Sequence, residues 1–184
     1  MAAIHLLPLG DVPGELPARL APPLEARFAV PVLLDAPEPA RPEWLDPARG
    51  QYRAAAILAS LLAVPPADGG WRLALLAGDL FDAGLESAAG LSTVGGCCGI
   101  VALGRLAADG AGGAGGADGA TGPAAADTLF RRVLVEAVHE IGHMAGLGHC
   151  ADERCVMHAS RSVVETDRKG PDFCARCRQG APGV

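Results

Sequence analysis

The chain has 184 residues, a formal net charge of −6, a 50% share of hydrophobic residues and only 4% aromatics. That length suits one domain with a sizeable core, and the acidic balance offers no electrostatic footprint for a nucleic acid. The hydrophobic share is mostly Ala, Leu and Val broken by Gly and Pro, without the roughly 18 unbroken apolar residues of a membrane span, and Met1 to Pro8 lacks the basic opening of a signal peptide, so the expectation is a cytoplasmic protein.

In chain order, Ala3 to Leu9 is a short apolar run bounded by Gly10 and reads as a first strand. Pro17 to Phe28 reads as a helix opening on a proline, though Pro22 and Pro23 disturb it, and Val30 to Leu34 as a second strand. Asp46 to Val64 is predicted as one long helix, with Asp46 as its cap, Pro47 in its first position and Ile57, Leu58, Leu61 and Leu62 as its apolar stripe. Trp71 to Leu76 and Gly99 to Leu106 read as further strands. Strands alternating with helices predict an α/β (α+β) fold over residues 1–184, a single domain whose mixed, mostly parallel twisted sheet packs on helices. His5 reads as a strand histidine with a satisfied partner, and Cys97 and Cys98, set among glycines, as buried small hydrophobes rather than a redox pair. From Ala107 to Ala126 the chain is almost all Gly, Ala and Asp, and is expected to be a flexible surface loop; its place before the next helix raises the second idea of a lid.

The next helix carries the chemistry. Leu129, Phe130, Val133, Leu134, Ala137, Val138 and Ile141 recur at helical spacing behind Asp127, a candidate N-cap. His139 and His143, four residues apart, leave such a helix on one face within roughly 40° of each other and can grip one ion. Glu140 lies off the ligand axis but within reach of a water on the metal, which suits a general base. Gly146 tolerates the positive φ that stops a helix, and the reversal can bring His149 back as a third ligand. Three neutral imidazoles leave a zinc ion one open position for water, whose pKa falls to about 7 in such sites.

Four cysteines follow. Cys174-x-x-Cys177 has zinc-knuckle spacing, and Cys150 and Cys155 can supply the other pair of a Cys₄ site spanning 150–177. The same residues would serve as disulfides or buried thiols in another setting; in a reducing compartment, metal binding is the expectation. Because His149 and Cys150 adjoin, one peptide unit would then join two metal sites.

With His139-Glu140-x-x-His143-x-x-Gly146-x-x-His149-Cys150, then Cys155-x-Met157 and Cys174-x-x-Cys177, the chain resembles the archaemetzincins, zinc metallopeptidase-like proteins of the metzincin clan. The resemblance implies a catalytic zinc on His139, His143 and His149, Glu140 as catalytic base, Met157 as the Met-turn methionine beneath the histidines, and a structural zinc on Cys150, Cys155, Cys174 and Cys177. Gln51-Tyr52 with its following Ala/Leu run, and Asp79-Leu80-Phe81 with Gly84-Leu85, resemble the family's early helix and the approach to its edge strand. Ser87-Ala88-Ala89-Gly90 departs from the aromatic, β-rich segment usual there, and small side chains predict weaker strand formation and a looser cleft wall.

The expected activity is therefore zinc-assisted peptide hydrolysis, aminopeptidase-like by resemblance, on a peptide or protein substrate, with two Zn²⁺ and a monomeric chain. A zinc-dependent binding or regulatory protein is the alternative. A nucleic-acid contact ranks last, because Arg154, Arg161, Arg168, Lys169, Arg176 and Arg178 are interleaved with Asp152, Glu153, Glu165, Asp167 and Asp172.

Overall fold

Strand β1 (Ile4–Leu9) is apolar on both faces, as a strand covered on both sides must be. In the computed structural model, which describes residues 2–107 and 122–180, β1 pairs in parallel with β2 (Val32–Leu34) and β5 (Trp71–Leu76). Parallel β9 (Cys98–Ala102) extends the sheet beyond β5, and β8 (Gly90–Ser92) closes the edge antiparallel to β9, giving the order β2-β1-β5-β9-β8. The sheet is mixed and mostly parallel, as the alternating pattern predicts.

Alternation along β1 divides the interior into two layers. Ile4 and Leu6 meet Leu16, Leu20, Leu24 and Phe28 of helix α1 (Leu16–Phe28) and the long helix α4 (Pro123–Met144). Leu7 and Leu9 face Ile57 and Leu61 of α2 (Ala54–Ala63) on the other side. Pro22 is exposed and Pro23 half-buried, so both lie off the buried stripe and α1 continues through them.

Three boundaries differ from the expectation. The helix expected from Asp46 begins only at Ala54; before it stand β3 (Leu45–Asp46) and β4 (Gln51–Arg53), two strands of a small second sheet completed by β6 (Leu80–Asp82) and β7 (Leu85–Ala88) in the order β3-β4-β6-β7. The Asp46 carboxylate accepts from the N–H groups of Ala48 (3.1 Å) and Arg49 (3.3 Å), and Gly50 takes φ +65°, so the Asp-Pro pair opens a turn instead of a helix. Strand β9 stops at Ala102, and Leu103–Ala107 is a short helix, α3, because Gly104 docks backbone to backbone on Gly78: its N–H donates to the Gly78 carbonyl at 2.8 Å. Helix α4 starts at Pro123 behind Gly122, so Asp127 lies inside it and binds Arg19 of α1 at 2.8 Å rather than capping. Of the loop expected over 107–126, residues 108–121 lie outside the described residues, while 123–126 are helical. No described helix is long and apolar enough to cross a membrane.

Ser87, Ala88 and Gly90 lie in strands despite their small side chains, on either side of a bend at Ala89, because β7 is held by β6 and β8 by β9. That edge lies against α4, whose C-terminal half carries the histidines. Two short helices, α5 (Val163–Arg168) and α6 (Ala175–Gly180), complete the described chain.

Candidate metal centres and cleft

Among the apolar side chains of α4 runs a stripe of buried polar ones at helical spacing: Arg132, Glu136, His139, Glu140 and His143. Burying such groups is unfavourable unless each finds a partner, and each does. Arg132 places Nε and Nη2 at 2.8 Å from the two carboxylate oxygens of Asp167, and Nη1 at 2.8 Å from the Leu106 carbonyl. Glu136 accepts from Thr166 Oγ1 at 3.1 Å and faces Lys169 Nζ at 3.6 Å; that buried ammonium also donates to the His158 carbonyl at 2.9 Å.

The two helical histidines are oriented by their outer nitrogens. His139 Nδ1–H donates to the Val156 carbonyl and His143 Nδ1–H to the Leu147 carbonyl, both at 2.7 Å. Each ring thus turns an Nε2 lone pair inward, and those two atoms lie 3.0 Å apart. The helix ends at Met144, Gly146 takes φ +96°, and the returning chain sets the His149 ring 4.8 Å from that of His143 and 5.4 Å from that of His139. One ring nitrogen from each of the three lies within 4.8 Å of the others. Opposed lone pairs at this separation suit a cation between them, and bonds of about 2.1 Å in a tetrahedral zinc site place nitrogens ~3.4 Å apart. Burial holds the imidazolium forms of His139 and His143 unfavourable, lowering both pKa values and leaving the neutral rings that ligate metals.

Glu140 is buried beside them. Its Oε2 accepts a 2.5 Å hydrogen bond from Ser92 Oγ on β8, and burial pushes its carboxyl up to about 8 against the opposing pull of that bond. The cleft wall is closest here: a Cβ on Gly90 would stand 2.5 Å from Glu140 Oε1. At this point the small side chains tighten the wall against α4, contrary to the looser wall expected.

The four cysteines form a second cluster, with one sulfur from each within 4.8 Å of the others and Cys150 and Cys174 at 3.9 Å. All are free thiols, and zinc–sulfur bonds of about 2.3 Å imply sulfurs ~3.8 Å apart. The Cys177 backbone N–H pulls the Cys174 thiol down to about 7, whereas burial pushes Cys155 and Cys177 up, so collective ionisation calls for a cation among the sulfurs. Met157 is wholly buried against α4, its sulfur 2.5 Å from where a Cβ on Gly142 would sit. Cys150 N–H donates to the Met157 carbonyl at 2.9 Å, and His158 Nδ1–H to the Cys150 carbonyl at 3.1 Å.

A cavity of about 530 Å³ opens over the three histidines, Glu140 and β8, and extends to Glu136, Arg105 and Arg161. His5 and the Cys97–Cys98 pair lie outside it: His5 sits between Asp35 (3.2 Å) and Asp68 (3.3 Å), and the pair's sulfurs are 3.8 Å apart with Cys98 buried. Sequence reasoning missed Ser92, Glu136, Lys169 and Arg105 as parts of the site, and placed Gly90 in the cleft wall without its contact on Glu140. Only Glu136 left a signal, an acid within the apolar run of the helix.

The model of peptidase family M54 matches residues 124–181. Over nearly the whole chain the protein is similar to the archaemetzincin of Halobacterium salinarum, 30% identical over 178 residues, 96% of this chain and 97% of that one. It is also similar to the archaemetzincin of Methanopyrus kandleri, 35% identical across 71% of this chain and 66% of that one. Among solved structures it resembles archaemetzincin from Archaeoglobus fulgidus, crystallised with malonate, with a TM-score of 0.78 and 29% identity over 96% of this chain and 98% of that one. A zinc-dependent peptidase from Methanocorpusculum labreanum gives 0.77 and 29% over the same shares.

Proposed function

Because the chain belongs to the archaemetzincins, a zinc metallopeptidase family, we propose that it hydrolyses peptide bonds at the His139–His143–His149 site with Glu140 as general base. The observation that carries this reading is the convergence of three inward-facing imidazole nitrogens beside one buried carboxylate that opens on a cleft. We further propose that the catalytic ion is zinc on these three histidines, in the metzincin manner, and that a second, structural zinc is held by Cys150, Cys155, Cys174 and Cys177.

A zinc ion held there supplies Lewis acidity, bringing the pKa of water to about 7 and polarising a carbonyl oxygen. The chain supplies the rest. Ser92 occupies Glu140 Oε2, which leaves Oε1 to take the proton of the attacking water and pass it to the leaving amine. With a dication held by the three histidines, the Glu140 carboxyl would be drawn toward its ionised form against the burial that raises it. Val156 and Leu147 carbonyls keep the two helical imidazoles in the ligating tautomer. Met157 and Gly146 are supporting parts, one the floor under α4 and the other the turn that returns His149. An aminopeptidase-like preference, a single domain, a monomeric state and a cytoplasmic location complete the proposal.

Elemental analysis of protein purified without added metal tests it, together with peptide hydrolysis by Glu140→Gln. The expected result is two zinc ions in the wild type, one in His143→Ala, and in Glu140→Gln two zinc ions with activity reduced by about 10²–10⁴-fold. One zinc in both wild type and His143→Ala, or full turnover by Glu140→Gln, overturns the assignment.

A further inference from the structure

The reaction just described makes no use of two guanidinium groups that line the same cavity, Arg105 of α3 and Arg161 of the segment before α5. Neither side chain has a hydrogen-bond or ion-pair partner among the described residues. The acids lining the cavity are already engaged: Glu136 by Thr166 and Lys169, and Glu140 by Ser92. The cavity therefore carries two uncommitted positive charges beside acids that already have partners.

Chain connections put both arginines toward the end of the cavity marked by Glu136. Thr166, bonded to Glu136, belongs to the helix that starts two residues after Arg161. Arg105 precedes Leu106, whose carbonyl binds Arg132 one helical turn before Glu136. Glu136 and Glu140 are four residues apart, about 6 Å along the axis, which is the reach of one side chain. Buried Leu106 and Val163, one and two residues after the arginines in sequence, supply apolar surface to the same cavity. A guanidinium beside such surface is less screened than one in open water and presents a fork that matches a carboxylate.

We propose that this end of the cavity selects substrates carrying a carboxylate at the residue flanking the scissile bond, held by Arg105 and Arg161; the inference rests on the peptidase reading. The same chemistry can come from an Asp or Glu side chain or from the peptide's own C-terminus. A Lys or Arg side chain at that position meets like charge.

The test uses hexapeptides with a free N-terminal amine in which Glu, Gln or Lys is scanned through each position, with matched peptides ending in a free carboxylate or an amide. They are compared on zinc-loaded wild type and on Arg105→Met/Arg161→Met, with circular dichroism and zinc content as checks on the fold. Wild type is expected to favour Glu over Gln at one flanking position by at least about tenfold in kcat/KM, with Lys poorest, and the double variant to bring the Glu-to-Gln ratio near one. A preference that follows the free terminus instead, and collapses in the same variant, supports the arginines with the chain end as the carboxylate. If the double variant loses its fold, Arg161→Met alone, on an exposed segment, must lower the ratio. Calorimetric binding of the peptides to zinc-loaded Glu140→Gln gives a readout without turnover. Tighter binding of Glu than Gln that is lost on Arg105→Met/Arg161→Met, with no hydrolysis by wild type, supports the carboxylate site on the two arginines and overturns the peptidase reading. Hydrolysis with equal use of Glu and Gln at both flanking positions, or an unchanged ratio in the variants, overturns the inference alone.

Discussion

At Gly90 the backbone lies against Glu140 with only a hydrogen atom between them. A methyl group there would stand 2.5 Å from Glu140 Oε1 and 2.9 Å from its Cδ and Cγ, and Glu140 is buried, so the carboxylate itself must move. If Glu140 is the general base proposed above, a shift of about an ångström weakens proton transfer steeply. Gly90→Ala is expected to keep the metal content and circular dichroism of the wild type while losing at least about tenfold in kcat/KM; wild-type turnover in that variant would mean that Glu140 has room to spare. Position by position, what could be read from sequence was what is close in sequence. His139, His143 and His149, and Cys150 with Cys155, are brought together by a helix turn and short loops whose geometry follows from spacing. Ser92 and Glu140 are 48 residues apart, and only the pairing of β8 with β9 brings them into contact, so no local pattern announces it.

At the level of elements, α4 is fastened to α5 by the Arg132–Asp167 pair and by the Thr166–Glu136 hydrogen bond. Hydrogen bonds from Arg132 hold the Asp167 carboxyl below its usual value, and Arg132 is buried. Because the folded pKa is depressed, the stabilisation is present above the unfolded value near 3.8 and is lost as the pH falls through the folded one. Asp167→Asn is therefore expected to destabilise the metal-free protein by about 1–2 kcal/mol at pH 7, after allowance for partial exposure, and by less at pH 3. Denaturant unfolding at the two values checks this; a penalty independent of pH would assign the role to packing. Elements with strong periodicity, β1, β5 and the body of α4, agree with their sequence signals. Asp46-Pro47 did not, since the same dipeptide serves a helix start or a turn, and Gly50 with the β3–β4 pairing decided for the turn. Nor did the end of β9, which is set by the contact of Gly104 with Gly78 across the fold.

Across the whole molecule, the parallel sheet was legible from strand and helix alternation, whereas the second sheet, built of strands two to four residues long, is too short for any period to show. The C-terminal chain from Cys150 to Cys177 has little regular structure, only α5 and the start of α6, yet it supplies Met157 and Phe173 to the core under α4. Its order is expected to depend on the sulfur cluster. Cys174→Ser/Cys177→Ser should lower Tm by about 10 °C or more, as should a strong chelator acting on the wild type. Equal melting temperatures by calorimetry would show that the segment holds without an ion.

The peptide joining His149 to Cys150 has a thermodynamic consequence. Cys150 is pinned through its N–H to Met157, and His149 inherits that anchorage, so whatever the sulfurs grip also limits how far the third imidazole can stray. With both ions held as proposed, the two affinities are linked, and reciprocally: each occupant acts as an effector of the other. Loading should then be cooperative, with the sulfur cluster filling first. An alkylating agent aimed at Cys174, the thiol drawn down to about 7, would loosen the hold of the histidines without touching them.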